Sequence, residues 1–328
     1  MCILITGGAG FIGSNIAAQL YKNNLNVAIC DWLGQEDKWK NLQNIVPEDL
    51  IAPENLSHWL DQRGKSLTAV IHMGAVSSTT ETDADLIVDR NFRLSVTLWM
   101  FCAAHDIPFI YASSAATYGD GSNGFSDDTD DKNMTSLRPL NPYGWSKHLF
   151  DRWVLSQIKG GKQAPPKWAG LKFFNVYGPN EYHKGSMKSV IAQNYGRVIS
   201  GDAIKLFKSY HAEYADGGQM RDFIYVKDCV RVIEWMLGHE FASGIFNIGT
   251  GVARSWNDLA GAIFAASGLD PRIEYIDMPE ALRDRYQYFT EAGMAKLIAA
   301  GFSGHFHSLE DGIRDYITSH LASQDPYI

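Results

Sequence analysis

Short apolar runs alternate with helical patterns through the first half of the chain. The runs predicted as strands are Cys2–Ile5, Asn26–Cys30, Thr68–His72, Phe109–Ser113 and Leu171–Val176. Between them, apolar residues recur every three or four positions, as from Asp83 to Ala104 and from Asn141 to Ile158, which is the spacing of a buried helix face. Alternation of this kind predicts a doubly wound α/β fold, in which helices wrap a parallel sheet and ligands bind at the carboxyl ends of its strands.

In the second half of the chain, predicted strands and helices no longer alternate regularly. Phe223–Val226 and Gly244–Gly249 are predicted strands around a helix, and Ser255 and Ser308 each begin a further helix with a capping pattern. Because no clean linker or internal repeat separates the halves, we expect a smaller, partly interleaved lobe. The predicted division is 1–174 plus 223–249 for a cofactor-binding domain, and 175–222 plus 250–328 for a substrate lobe.

Glycines follow the first predicted strand and lead into a helix. Gly8-x-Gly10-x-x-Gly13 fits the dinucleotide fingerprint of a Rossmann domain, and Gly7-x-x-Gly10-x-x-Gly13 fits its short-chain-reductase variant. Asp31 ends the next apolar run, where a ribose-binding acid is expected roughly 20 residues on. A glycine-rich turn without a ligand is the alternative, and the flanking strand and helix argue against it. The stretch therefore predicts a loop that binds a pyrophosphate.

Net charge and apolar content limit the partners of the protein. The 328 residues carry a formal charge of −8, which disfavours nucleic acid and anionic membranes as ligands. Met1 leads directly into the first strand, and no apolar run approaches the ~20 residues that span a bilayer, so we expect neither a signal peptide nor a membrane span.

Metal and disulfide chemistry have little support in the sequence. The four cysteines are isolated, without zinc spacing or a disulfide framework, which predicts a reducing cytoplasm. They are Cys2, Cys30, Cys102 and Cys229. His305 and His307 lack a nearby third ligand, so we expect no metal.

Tyr143 and Lys147 form the second chemical signal. Residues four apart on a helix share one face, and Tyr143 is the only one of 15 tyrosines with a lysine at that spacing. A positive charge ~4 Å from the phenol, at an effective dielectric of about 20, is worth about 4 kcal/mol, or about three pKa units. We therefore expect the pKa of Tyr143 near neutrality, with Ser114 at the preceding strand end holding the reacting hydroxyl. Simple packing is the alternative; the glycine loop at the same sheet edge favours catalysis.

These residues resemble the extended short-chain dehydrogenase/reductases that act on nucleotide sugars, and within them the ADP-heptose 6-epimerases. The segments that carry the resemblance are Ser77–Glu81, Tyr111–Gly119, Phe174–Pro179, His183–Met187, Arg221–Phe223, Phe246–Gly251 and Arg285–Gln287. The His183–Met187 segment is the most specific of them. The resemblance implies an ADP-heptose substrate, epimerised at C6″ by transient oxidation for the synthesis of the lipopolysaccharide core, and we expect a homo-oligomer.

Roles for particular residues follow from the same resemblance. It implies Tyr143 and Lys184 as acid/base residues, Lys147 on the nicotinamide ribose and Ser114 at the reacting centre. The implied cofactor-binding residues are Gly7, Gly10, Phe11, Ile12, Gly13, Asp31, Trp32, Lys38, Met73, Gly74, Ala75, Val76, Ser77, Asn91, Lys147 and Val176. The implied substrate-binding residues are Ser114, Asn175, Ser186, Gln193, Phe207, Arg221 and Tyr286. Of these, Arg221 suits a diphosphate, since a guanidinium pairs bidentately with phosphate oxygens.

The identity of the dinucleotide rests on opposing signals. Asp31 favours a free 2′-hydroxyl, whereas Lys38 and Lys40 can neutralise a 2′-phosphate. The resemblance implies NADP, which we expect, with NAD left open. Trp32 stands where the family commonly has Asn, Gln193 stands where a His is familiar, and the stretch 208–218 is longer than usual.

Three other functions are compatible with parts of the sequence. A 4,6-dehydratase of this family carries an Asp-Glu pair just after the position of Ser114. This chain has Ala115-Ala116 there, which argues against a dehydratase. A UDP-sugar 4-epimerase differs mainly at the His183–Met187 segment. A non-catalytic protein that senses the cofactor would not require the catalytic pair, so the presence of both Tyr143 and Lys147 argues against it.

Overall fold

A seven-stranded parallel sheet forms the centre of the molecule. The computed structural model describes residues 2–283 and 286–328. Its strands are β1 Cys2–Thr6, β2 Asn26–Cys30, β3 Asp49–Ile51, β4 Leu67–His72, β5 Phe109–Ser114, β6 Trp168–Phe173, β7 Asn175–Tyr177, β8 Ile204–Phe207, β9 Met220–Tyr225, β10 Gly244–Ile248, β11 Ala253–Ser255 and β12 Ile273–Ile276. The large sheet has the order β10-β6-β5-β4-β1-β2-β3, with every pairing parallel. The predicted doubly wound α/β fold is confirmed.

Helices cover both faces of this sheet, and others belong to the smaller lobe. The α-helices of the described residues are α1 Phe11–Lys22, α2 Leu56–Arg63, α3 Ala84–Ile87, α4 Leu94–Ala104, α5 Asp131–Ser136, α6 Pro142–Lys159, α7 Val190–Ile199, α8 Val226–Gly238, α9 Trp256–Ala266, α10 Glu280–Arg283, α11 Ala295–Ala299 and α12 Leu309–Asp315. Along β1, Ile3 and Ile5 belong to one hydrophobic core with Ile16 of α1, while Leu4 belongs to another with Leu98 of α4. Burial on both faces is why the strands are apolar without alternation.

The chain leaves the large sheet after β6, returns to it with β10 and then leaves it again. The predicted strand Leu171–Val176 is two strands, because β6 ends at Phe173 and β7 joins a separate sheet of order β11-β9-β7. Phe223–Tyr225, expected in the cofactor-binding domain, lies in β9 of that small sheet. A third core around Ile191, Ile263 and Ile313 packs this lobe. The predicted domain boundaries stay a prediction.

Two segments near the sheet edge differ from their predicted form. The helix predicted from Asp83 to Ala104 is α3, a π-helical turn at Val88–Arg93, and α4. The predicted loop Pro179–Ser189 contains a 3₁₀ turn at Tyr182–Met187. Periodicity alone cannot separate a π turn from an α-helix, because the two differ by one residue in their hydrogen bonds. Within the described ranges, no helix combines the length and apolar character needed to cross a bilayer.

Replacement of Gly13 by alanine is expected to destabilise the fold. An added Cβ would lie 2.2 Å from the Gly7 carbonyl oxygen and 2.9 Å from the Gly8 Cα, both backbone atoms that cannot turn aside. Urea denaturation should show a loss of about 1–3 kcal/mol in the free energy of unfolding.

The matched control is Gly196→Ala, on the exposed face of α7, where a Cβ meets nothing within 4 Å. That variant should gain about 0.5–1 kcal/mol, because alanine loses less entropy in a helix. Equal stability of the two variants would contradict the close approach at Gly13.

Candidate active site

A cavity of about 640 Å³ opens at the carboxyl edge of the large sheet. Its floor is formed where the parallel strands end, at Thr6, Asp31, Met73, Ser114 and Phe173. This edge is where open α/β sheets bind ligands, and the volume lies within the range of small-molecule sites.

The glycine loop shapes one end of the cavity. Gly7 has a φ of +65°, and a Cβ there would lie 2.6 Å from the Cα of Gly74. The Ala9 N–H donates to Asp31 Oδ2 at 3.0 Å. Helix α1 then begins at Phe11 without a side-chain cap, so its first N–H groups stay available to an anion. The loop therefore fits a dinucleotide pyrophosphate.

The predicted cofactor-binding residues converge on this cavity, with Asn91 as the exception. Asn91 is fully buried behind the wall. Its Oδ1 accepts from the Val76 N–H at 2.8 Å, and its Nδ2 donates to the Val76 carbonyl at 2.9 Å. Asn91 thus fixes the wall segment after β4 without reaching the cavity itself.

Tyr143, Lys147 and Ser114 lie together on the cavity wall. Asn141 caps α6 by accepting from the Gly144 N–H at 2.8 Å, so the helix begins directly before Tyr143. A Cβ at Gly144 would lie 2.7 Å from the Ala116 carbonyl oxygen. This close approach packs the start of α6 against the turn that follows Ser114.

The acidity of Tyr143 differs from the sequence expectation. Burial raises the pKa of its phenol, and the adjacent Ser114 hydroxyl only partly opposes that rise. Burial also lowers the pKa of Lys147 to about 8, with Asp151 acting in the opposite direction. The expected shift of the phenol pKa towards neutrality was wrong for the protein by itself, because desolvation is the larger effect and only the Ser114 hydroxyl opposes it.

Asp151 lies behind the cavity wall and supports the site, and no motif in the sequence predicted it. It is fully buried on α6, one turn beyond Lys147. Its carboxylate accepts from Tyr111 Oη at 3.0 Å and Ser113 Oγ at 2.7 Å, and lies 3.5 Å from Lys172 Nζ. These contacts bind α6 to the end of β5. The available signal was the spacing of four residues after Lys147.

Lys184 comes from the 3₁₀ turn Tyr182–Met187 and also lines the cavity. Its Nζ lies 5.2 Å from the centroid of the Phe11 ring, a cation–π contact with the first residue of α1. Burial lowers the pKa of Lys184, and Glu181 opposes that change. Loss of a proton is therefore easier for this lysine than for a free one.

Buried polar side chains hold in place the turn Tyr182–Met187, which is called the Lys184 turn below. Glu181 accepts from Ser189 Oγ at 2.6 Å and from Tyr316 Oη at 3.0 Å. On the other side, Asn41 Nδ2 donates to the carbonyls of Ala9 at 2.9 Å and Asn180 at 3.0 Å, and lies 3.2 Å from His183 Nδ1. Asn41 thus bridges the glycine loop and the turn that carries Lys184.

The predicted substrate residues fall into two groups. Ser114 and Asn175 line the cavity, whereas Ser186, Gln193, Phe207, Arg221 and Tyr286 lie outside its walls. Arg221, mostly buried, lies with its Cζ 5.2 Å from the Tyr286 ring and 6.0 Å from the ring of Trp256. Trp256 does line the cavity, and its Nε1 donates to Tyr286 Oη at 3.1 Å. The Arg221 cluster therefore adjoins the cavity through Trp256.

Gln193 has a supporting position in the structure. Its Nε2 donates to the carbonyls of Ser186 at 3.1 Å and Lys188 at 2.6 Å. These bonds join α7 to the end of the Lys184 turn.

The cavity is positive in an acidic protein. Its charged wall residues are Asp31, Lys38, Arg90, Lys147, Lys184 and Lys188. Arg90, Lys188 and Trp256 were absent from the predicted site, because no motif marks them. His183 lies in the predicted His183–Met187 segment, but no role was assigned to it. A surplus of cations suits ligands that carry several phosphates.

Comparison with known proteins defines the class. The model of the NAD dependent epimerase/dehydratase family matches residues 3–249, and the chain belongs to this family. The predicted resemblance to nucleotide-sugar reductases is thereby confirmed, together with a nicotinamide cofactor.

Relatives within the family share a particular name. The ADP-L-glycero-D-manno-heptose-6-epimerase of Fusobacterium nucleatum is 47% identical over 335 residues, covering 99% of this chain and all of that protein. The crystal structure of the Helicobacter pylori ADP-L-glycero-D-manno-heptose-6-epimerase has a TM-score of 0.79 at 29% identity, covering 97% of this chain and 95% of that one. The Thermus thermophilus UDP-glucose 4-epimerase, in complex with NAD, has a TM-score of 0.74 at 26% identity over 97% and 98% of the two chains.

Removal of the Asn41 amide is expected to weaken the bridge to the Lys184 turn. Asn41→Ala leaves the carbonyls of Ala9 and Asn180 without their shared donor. Urea denaturation should show a loss of about 1–3 kcal/mol in unfolding free energy. Asn44→Ala, an identical change at an exposed position three residues on, should leave stability unaltered. The bridge has no importance for stability if both variants unfold like the wild type.

Proposed function

We propose that the protein interconverts ADP-D-glycero-β-D-manno-heptose and ADP-L-glycero-β-D-manno-heptose by transient oxidation at C6″, with tightly bound NADP. The observation that carries this proposal is the meeting of Tyr143, Lys184 and the glycine loop in one cavity. The choice of substrate is supported by relatives of that name at 47% and 49% identity over 99% of this chain. The product would serve synthesis of the lipopolysaccharide core, and we place the enzyme in the cytoplasm as a homo-oligomer.

The chain offers two acid/base groups from different elements. Tyr143 comes from the start of α6 and Lys184 from the turn after β7. Burial raises the pKa of Tyr143 and lowers that of Lys184, so the phenol keeps its proton while the amine gives one up more easily. Opposite shifts of this kind suit one group that donates and one that accepts a proton.

Epimerisation at C6″ needs redox chemistry, because a carbon bearing only hydrogen and hydroxyl has no acidic C–H. The nicotinamide, when bound, supplies the acceptor and later the donor of a hydride at C6″. One residue of the pair Tyr143 and Lys184 removes the hydroxyl proton as the C–H bond breaks, which leaves a planar ketone. After the ketone turns over, the other residue returns a proton to its oxygen. Hydride and proton are both restored to the substrate, so no external oxidant is consumed. The residue that accepted a proton then loses it to water and the residue that donated one regains it from water, which completes the cycle.

Positioning falls to the surrounding residues. In this proposal Lys147 and Asp31 hold the two riboses of the cofactor, and Ser114 holds the reacting hydroxyl. Arg221 clamps the substrate diphosphate, since its buried guanidinium lies beside Trp256 at the cavity wall. NADP is favoured over NAD because Lys38 lies 2.6 Å from Asp31 and offsets its charge.

Turnover without added cofactor is the first expected result. Purified protein given ADP-D-glycero-β-D-manno-heptose should form the L-glycero epimer, as followed by chromatography and NMR of the product. No NADPH should accumulate, because the hydride returns within each turnover. A product lacking one water, or conversion of UDP-galactose with no turnover of the heptose, would contradict the proposal.

Substitution of the two acid/base residues should separate chemistry from binding. Tyr143→Phe and Lys184→Met are each expected to lower kcat by about 10²–10⁴-fold, because each removes a proton-transfer group. Bound nucleotide, measured by mass after denaturation, should be unchanged in both. Lys205→Met, at an exposed position in β8, serves as a control with wild-type kcat. Loss of nucleotide from Lys184→Met would assign that lysine a structural role instead.

A further inference from the structure

Two cations lie beside the residue that marks the adenosine ribose. Lys38 Nζ donates to Asp31 Oδ1 at 2.6 Å and to the Trp32 carbonyl at 2.8 Å. Arg90 lines the same cavity, with its Cζ 4.4 Å from the centroid of the Trp32 ring. Trp32 therefore positions both cations, one with its carbonyl and one with its indole.

The indole itself is held from the outside. Trp32 Nε1 donates to Glu54 Oε1 at 2.7 Å. Arg90 lies on the π-helical turn Val88–Arg93, and its Nε is 3.4 Å from Asp89 Oδ2. The next residue, Asn91, is tied to the cavity wall through Val76. The Arg90 guanidinium is thus held by the Trp32 ring, and the backbone of the turn that carries Arg90 is held by Asn91.

The carboxylates near this corner are already engaged. Asp31 gives one oxygen to Lys38 and the other to the Ala9 N–H. Glu54 and Asp89 bond to Trp32 and Arg90, and neither belongs to the cavity wall. The charged groups that face the cavity here are therefore Lys38, Arg90 and Asp31, and the charge of Asp31 is offset by Lys38.

We propose that Arg90, held on the indole of Trp32, binds the 2′-phosphate of the dinucleotide together with Lys38 and so selects NADP over NAD. A dinucleotide whose pyrophosphate lies on the glycine loop places its adenosine ribose at Asp31, which brings the 2′-oxygen to this corner. A guanidinium forms paired, charge-assisted hydrogen bonds with phosphate, whereas a 2′-hydroxyl has nothing comparable to offer it. This assignment rests on the proposed binding of a nicotinamide dinucleotide.

The test is competition between the two dinucleotides. Purified holoenzyme is incubated with an equimolar mixture of NADP and NAD, freed of unbound nucleotide, denatured and analysed by mass. The wild type should carry mainly NADP, with the ratio falling as salt increases. Arg90→Met should lower the NADP:NAD ratio by about 10–100-fold, the loss of a charged hydrogen-bonding partner. Trp32→Leu should also lower the NADP:NAD ratio, because it removes the indole that holds Arg90.

Arg93→Met is the matched control. Arg93 lies on the same π-helical turn, is 67% exposed, pairs with Asp89 at 3.8 Å and does not line the cavity. Its ratio should equal that of the wild type.

Three outcomes overturn the assignment. They are a wild-type ratio in Arg90→Met, equal loss of NADP and NAD in that variant, and a wild type that prefers NAD. In the first two cases the proposed function stands if the heptose is still epimerised. In the third case the epimerase activity stands if the heptose is still epimerised, but the choice of NADP in the proposed function is contradicted as well. A wild type that retains neither dinucleotide would refute the proposed function itself.

Discussion

Direct backbone packing at the glycine loop is the constraint on which the site depends. Gly7 donates its N–H to the Cys30 carbonyl at 2.8 Å and leaves no room for a Cβ beside Gly74. The loop therefore joins the ends of β1, β2 and β4 at van der Waals distance. The second half of the chain is fastened to the same loop through Asn41, and to helix α1 through Asn15, whose Nδ2 donates to the Pro179 carbonyl at 3.0 Å. Contacts with the glycine loop thus help to fix the position of Lys184.

Burial of charge gives this site its chemical character. Lys147, Lys172 and Asp151 are almost or wholly excluded from solvent, and a buried charge is costly unless it is paired or hydrogen-bonded. The contacts of Asp151 with Ser113 and Lys172 meet that requirement and also fix the helix that carries Tyr143. In the same way, the donors around Glu181 fix the turn that carries Lys184. Stability and geometry are therefore provided by the same hydrogen bonds.

Local patterns predicted the parts of the site that belong to one segment. The glycine spacing, Asp31 at a strand end and the pair Tyr143 and Lys147 are visible because short motifs carry them. Asp151 and Arg90 escaped detection, since their roles depend on partners brought near by folding, such as Ser113 and Trp32. The π-helical turn was hidden because its apolar spacing matches an α-helix. The acidity of Tyr143 was misjudged because burial cannot be measured from spacing.

Return of the hydride to the carbon that gave it distinguishes transient oxidation from removal of a proton at C6″. Substrate carrying deuterium at C6″ should be converted by the wild-type protein in ordinary water, and the product examined by NMR and mass spectrometry. We predict that deuterium stays at C6″ of the epimer, since the hydride does not exchange with solvent during transient oxidation. Replacement of the label by hydrogen from water would contradict transient oxidation and indicate removal of a proton instead.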